Sequence, residues 1–266
     1  ISWITPQMCI LFQTSMAEKR RFIDRLTLSL DNLHLNRVYK HEKLLRQRNK
    51  ILIQPKTDYK WLDVIESQIS ELSIAITARR LDLLEELEKL YNIELNNNSL
   101  TKHFPSAGIV INGDIERLLK VQPAVEVEDF IRVELKKSRS DLELFVSGPN
   151  NSTIEIFNRN NKKNLDISST GEQKLLLISI ILSHARLLNN NFNMAPILLL
   201  DDIAEHLDNK HREALFLEIS RHQAQSWFTS TSKDAFSEYP SFIHKIDLPK
   251  TKERFDGDYH FRYGDI

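Results

Sequence analysis

Residues 168–188 read SSTGEQKLLLISIILSHARLL, and residues 196–211 read PILLLDDIAEHLDNKH. In the second stretch, the apolar run after Pro196 fits a strand buried on both faces. Asp201 and Asp202 then emerge at its carboxyl end, the edge at which parallel α/β sheets bind ligands. Two adjacent carboxylates repel, so this edge calls for a cation. Mg2+ is the simplest, held by carboxylate oxygens and waters with phosphates completing the shell. A second carboxylate can orient or deprotonate an attacking water. A solvated Asp pair capping the next helix has the same sequence. In the first stretch, Ser169 and Glu172 stand at capping-box spacing, so a helix begins there. Its open N–H groups and positive dipole end suit an anion, and Gly171 lets the backbone approach one closely. An ordinary capped helix fits these residues too.

Working outward, the order after residue 170 is helix, strand, helix, strand: Gly171–Leu188, Ile197–Asp201, Lys210–Gln223 and Gln225–Thr231. That alternation predicts a largely parallel sheet covered by helices. Upstream, ISWITPQM reads as a short strand ending at Pro6. Residues 17–52 follow a helical period, with Phe22, Leu26, Leu30, Leu33 and Leu44/Leu45 as the apolar stripe. Asp58 caps a second helix running to about Tyr91, whose apolar residues recur every three or four positions, with Arg79 and Glu86 in two of the slots. The two helices form either an antiparallel hairpin or an ordinary amphipathic pair in a globular core. GIVING (108–113) is a strand, and 115–120 and 125–138 are helical. A period of two at Leu142, Leu144, Val146, Ile154 and Ile156 predicts two strands around the turn SGPNNST. PSFIHKIDL and DYHFRYG are short strand candidates in the tail.

The chain has 266 residues, 36 basic and 37 acidic, for a net charge of −1, and 41% of its residues are hydrophobic. That apolar fraction supports a packed core and excludes a disordered chain. Near-neutrality means that any nucleic-acid contact comes from a local patch. Two clusters offer one: Lys19, Arg20, Arg21 and Arg25, and further on Lys43, Arg46, Arg48 and Lys50. Each could meet phosphates without reading sequence, and each could equally be a solvated charged face. Cys9 is the only cysteine, which excludes an internal disulfide and fits a reducing, cytoplasmic compartment. No apolar run approaches the roughly 20 residues of a membrane span.

Taken in order, STGEQ, ILLLDD and EHLD resemble the signature motif, Walker B strand and D-loop of ABC-type ATPases. WITPQM, EKRRFIDRL, HEKLLRQRNKIL, FPSAGIVING, VEVEDFIRVELKKSR, GPN, STGEQK and PILLLDDIAEHLD extend the likeness over nearly the whole chain. In that order they resemble the RecF family of bacterial DNA replication and repair proteins. The resemblance implies an α/β ABC-type head, P-loop NTPase-like and mostly parallel, with an inserted α-helical arm. Residues 1–14 would be a remnant of the N-terminal ATPase lobe, 15–139 the arm, and 140–266 the C-terminal lobe. It further implies ATP-dependent homodimers that bind DNA at gaps or single-strand/double-strand junctions. Recombinase loading with RecO- and RecR-type partners would follow, as part of the response to DNA damage and the SOS response.

Carried over residue by residue, Ser169, Thr170 and Gly171 would touch the γ-phosphate held by the other subunit, with Glu172 and Gln173 completing the motif. Asp201 would serve the Mg2+ shell, and Asp202 would take the catalytic carboxylate position, usually Glu in transporter relatives. Asp208 would lie across the dimer interface. Gln7 would stand where these ATPases place a metal- or water-contacting glutamine. Lys19, Arg20, Arg21 and Arg25 are the candidate DNA contacts.

The family's phosphate loop, G-x-x-x-x-G-K-[ST], does not occur in residues 1–266. Gly108 and Gly113 have its glycine spacing, but Asp114 stands where the lysine must be and would repel phosphates. GIVINGDI is therefore read as a strand and turn. The chain begins at Ile1, which predicts that the loop belongs to a preceding segment and that residues 1–266 alone do not turn over ATP. GPNNST lacks the histidine and basic residue usual after Gly-Pro in the family. FTSTSKD offers Thr229, Ser230 and Thr231 where many ABC ATPases have histidine, and His222 and His244 lie outside that slot. The alternative is an ATPase-inactive remnant serving as a structural or interaction module. A chromosome ATPase of the SMC group is disfavoured, because about 35 residues per arm helix gives only about 50 Å.

Overall fold

The computed structural model describes residues 1–8, 15–97, 104–140, 148–164, 167–203, 207–221 and 224–231, with His244 and Ile246. The strands expected around 142–146 and in the tail, Glu205 and His206 of EHLD, and His222 lie outside these residues.

The expected helix over 17–52 is two helices, α1 (Met16–Leu28) and α2 (His34–Leu52). The break has a local cause. Ser29 Oγ donates to the Leu26 carbonyl at 2.6 Å, and Asp31 accepts the Leu33 N–H at 3.0 Å. Such short-range bonds compete with the helical ladder. Asp31 is held in turn by Arg37 and Arg79. Leu33, expected in the apolar stripe, is the residue before α2 and is 52% exposed. α3 (Tyr59–Asn97) begins where the sequence predicts, with the Asp58 carboxylate accepting the Trp61 N–H at 3.0 Å. Its 39 residues give a length of about 58 Å.

α2 and α3 pair as the antiparallel hairpin: His41 meets Ser73 at 2.9 Å, and seven residues on, Arg48 meets Glu66 at 2.9 Å. Leu44, Ile51, Leu62, Ile65 and Ile69 fill the seam, joined by Ile115 of α4 (Asp114–Leu119) and Val127, Ile131 and Leu135 of α5 (Ala124–Lys137). The other half of α3 belongs to a second core. There Leu83, Leu87 and Tyr91 pack with Phe22, Ile23 and Leu26 of α1 and with the sheets below. One continuous helix thus runs through both cores.

The parallel sheet predicted from the alternation is present, with strand order β1 (Ser2–Ile4), β5 (Leu198–Leu200), β6 (Ser226–Phe228). Ile4 pairs with Leu200, which pairs with Phe228. α6 (Thr170–Phe192) packs against β1, and Ile4, Leu198 and Leu200 share its core with Leu215 and Ile219 of α7 (Asn209–Arg221). Alternation sends Trp3, Leu199 and Trp227 to the opposite face in one register row, all exposed. A second, antiparallel sheet joins β2 (Ala107–Asn112), β3 (Thr153–Asn158) and β4 (Lys163–Asn164).

That second sheet explains both glycines of the phosphate-loop look-alike. A Cβ on Gly108 would lie 2.3 Å from the ring of Phe157, its cross-strand partner. One on Gly113 would lie 2.2 Å from Glu116 Oε2. Close packing therefore accounts for both without a phosphate.

Two buried histidines make stability depend on pH. His184 Nε2 lies 3.0 Å from the Leu26 carbonyl and 2.8 Å from Ser29 Oγ. Burial lowers its pKa to about 4, and burial lowers that of His41 to about 4 as well. The unfolded chain binds protons at the ordinary value of about 6.5 while the folded chain does not. Stability is therefore complete above about pH 6.5, declines as pH falls, and levels off below about 4, at a cost of about 3 kcal/mol per histidine. Urea unfolding at pH 7 and pH 5 checks this: the free energy should drop by about 2 kcal/mol per histidine, and His184→Gln should flatten the decline.

Candidate functional site

The amino end of α6 is built as its sequence indicates. Ser169 is the N-cap; its Oγ accepts the Glu172 N–H at 3.3 Å, and Glu172 Oε2 accepts the Ser169 N–H at 2.8 Å. That backbone donation, followed by Lys163, whose Nζ lies 3.1 Å from Oε2, holds the Glu172 carboxyl below the usual range. The Thr170 and Gly171 N–H groups open the helix with no preceding turn to accept them. Both residues are exposed, and nothing lies within 4 Å of the position a Gly171 Cβ would take. Gln173 is different: it is buried, and its side-chain amide donates back to the Ser168 carbonyl at 3.3 Å.

The paired acids sit at the carboxyl edge of the parallel sheet. The Asp201 N–H donates to the Ile4 carbonyl at 3.0 Å, continuing the β1–β5 ladder by one residue. Thr229 is the residue sequence reasoning undervalued. Its hydroxyl donates to Asp201 Oδ1 at 2.5 Å and accepts the Asp202 N–H at 3.0 Å. The strand register supplies the link: Phe228 is the register partner of Leu200, so Thr229 stands beside Asp201. Asp202 has a φ of 52°, a left-handed conformation that Asp and Asn tolerate better than most residues. Asp201 is exposed and Asp202 half-buried.

Gln7 is exposed in the turn directly after β1, at the same sheet edge as Asp201. Among the described residues no three His, Cys, Asp or Glu side chains gather as a metal cage. Two adjacent carboxylates at a sheet edge suit a cation that keeps much of its shell for water and phosphate, as Mg2+ does. Asp208 stands apart from this group as the cap of α7. It accepts the His211 N–H at 2.8 Å and pairs with His211 Nδ1 at 2.7 Å, and these bonds, the backbone one foremost, hold its carboxyl low.

The basic residues at the start of the arm do not form one exposed face. Lys19 is buried. Arg20 donates to the Ser152 carbonyl at 2.8 Å. The Arg25 guanidinium lies 4.4 Å over the Trp3 ring and 5.4 Å from that of Phe22. Burial lowers the pKa of both arginines. Arg21 is exposed and paired with Glu18. In the second cluster Arg48 is turned inward onto Glu66, Ser138 and the Leu135 carbonyl, while Lys43, Arg46 and Lys50 remain exposed. No helix is long and apolar enough to cross a membrane among the described residues.

No protein-family profile matches the chain. Curated proteins named DNA replication and repair protein RecF do. Those of Mesorhizobium japonicum, Agrobacterium fabrum and Rhizobium leguminosarum are 38%, 39% and 37% identical to it over 240, 242 and 238 residues. These matches take in 88–89% of this chain and 62% of each relative. Among solved structures, the recombination mediator protein RecF–ATPrS of the RecFOR pathway superposes with a TM-score of 0.69 at 19% identity. RecF–ATP of the same pathway gives 0.64 at 18%, and both cover 88% of this chain and 62% of theirs. The fold is therefore that of these RecF structures over the length they share. Over 88–89% of its own length the chain is thus similar to proteins named DNA replication and repair protein RecF, and it spans 62% of theirs.

Proposed function

We propose that this chain contributes half-sites to an ATP-dependent, head-to-head RecF-type dimer that closes on DNA. The open backbone at Thr170 and Gly171 is the observation that carries the reading: exposed donors at a helix end are what a second copy's triphosphate requires. Ser169, with Glu172 setting its orientation, would complete that contact. Gln173 would support the turn from beneath. In the same assembly, and given the phosphate loop of a preceding segment, Asp201 and Gln7 would hold Mg2+. The metal would neutralise charge on the phosphates. Asp202 would accept the proton of the attacking water, and Thr229 would fix both acids. Asp208 would face the opposite subunit from the start of α7.

Slow hydrolysis would then switch clamping and release at gaps and single-strand/double-strand junctions. Arg21 would be the directly accessible phosphate contact of its cluster. RecO- and RecR-type partners and recombinase loading complete the proposal, in the cytoplasm, within the response to DNA damage. The arm would be residues 15–139, between the remnant of the N-terminal lobe (1–14) and the C-terminal lobe (140–266).

The test uses the helix end in trans. Mixed with the Agrobacterium fabrum relative, the chain should associate with it only when ATPγS and Mg2+ are present, as read by sedimentation velocity. Ser169→Arg should weaken that association about 10- to 100-fold, the value of one or two charge-assisted hydrogen bonds. Association that ignores nucleotide, or that survives Ser169→Arg, removes the nucleotide reading and leaves an interaction module.

A further inference from the structure

The free end of the α2–α3 hairpin places exposed rings beside exposed lysines. Tyr59 is 60% exposed and Trp61 46% exposed, with Ile53 also outward at the end of α2. Lys50, Lys56 and Lys60 are exposed around them, and none has an acidic partner among the described residues. The local acids are already engaged: Asp58 accepts the Trp61 N–H, Asp63 pairs with Arg139 and Lys136, and Glu66 is buried with Arg48 and Arg139. Arg139 also lies 5.8 Å from the Tyr59 ring, bracing it from the α5 side. On a chain whose net charge is −1, this tip sets three exposed lysines beside two exposed rings.

We infer that the hairpin tip is a contact for single-stranded nucleic acid, with Tyr59 and Trp61 as stacking platforms and Lys50, Lys56 and Lys60 as phosphate contacts. Aromatic faces held in water beside cations match unpaired bases on a phosphate chain. They do not match a duplex, whose base faces are hidden. An acidic protein segment would satisfy the lysines but leaves the pairing of two rings with three cations without a purpose. The inference rests on the DNA-binding part of the proposed function and narrows it: the head would sense nucleotide, while the arm tip would engage the unpaired strand of a junction.

The experiment measures anisotropy of a labelled 20-nucleotide oligo-dT and of a 20-base-pair duplex, with the 266-residue chain at several salt concentrations. Tyr59→Ala and Trp61→Ala should each weaken oligo-dT binding about 10-fold and leave duplex binding within two-fold. Lys56→Gln with Lys60→Gln should lower the single-strand salt slope by about 0.7 per lysine. Both rings lie outside the two cores, so melting temperatures should match the parent and show that folding is intact. Ring variants that bind oligo-dT within two-fold of the parent overturn the inference, and so do equal losses on duplex and single strand. If the parent binds duplex but not oligo-dT, the tip inference alone falls. If it binds neither, the DNA reading falls too, while nucleotide-dependent association with the relative is scored separately.

Discussion

Replacing Asp24 with alanine is expected to destabilise the chain by about 3–5 kcal/mol, the cost of leaving a buried cation without its partner. Arg80 is 3% exposed. Its Nε and Nη2 each donate to Asp24 at 2.8 Å, and Nη1 donates to the Pro149 carbonyl at 2.5 Å. His34 Nε2 donates to the same carboxylate at 2.7 Å. Burial alone would raise the Asp24 pKa; the hydrogen bonds from His34 and Arg80 outweigh it and hold the group low. Four parts of the chain meet here: α1, the start of α2, the middle of α3 and the Gly148–Ser152 turn. Urea unfolding of Asp24→Ala measures the effect, and a loss under about 1 kcal/mol would show that Arg80 regains water. Asp24→Leu with Arg80→Met, which removes both charges, should recover much of the loss.

A second large effect belongs to Asp202. Asp202→Asn should lower turnover about 10²- to 10⁴-fold, the usual contribution of a positioned general base. Asparagine is the informative change: it tolerates the left-handed backbone at this position, whereas alanine there would add backbone strain to the loss of the carboxylate. The assay joins residues 1–266 to the phosphate-loop segment that the family resemblance implies, and compares kcat with nucleotide-dependent association. Loss of turnover with association retained supports Asp202 as the proton acceptor. Unchanged kcat would pass that role to another group.

Features decided within a few residues of chain were legible in advance. The Ser169–Glu172 box, the Asp58 start of α3 and the parallel alternation each follow from short spacings, and each is present. Features decided across the chain were not. The bonds of Ser29 and Asp31 that part α1 from α2 are local, but the hold of Arg79 on Asp31 comes from 48 residues away. Lys19, Arg20 and Arg25 read as one basic run, yet the helical period sends one inward, one to the Ser152 carbonyl and one onto Trp3. Arg48 reads as surface charge until Glu66 is seen opposite it. Thr229 gains its role only from the register of β5 with β6. A hydroxyl or a cation has no intrinsic side of the fold; its partner assigns one.

The continuity of α3 makes the arm a lever. Its outer half is clamped by α2 and α5, and its inner half is bolted into the core beneath the sheets. With no hinge along about 58 Å of helix, a rotation of only 10° at the root would sweep the far end through about 10 Å. Load taken up at the tip must arrive at the base as torque on α1 and α6, the helices packed on the inner half of α3.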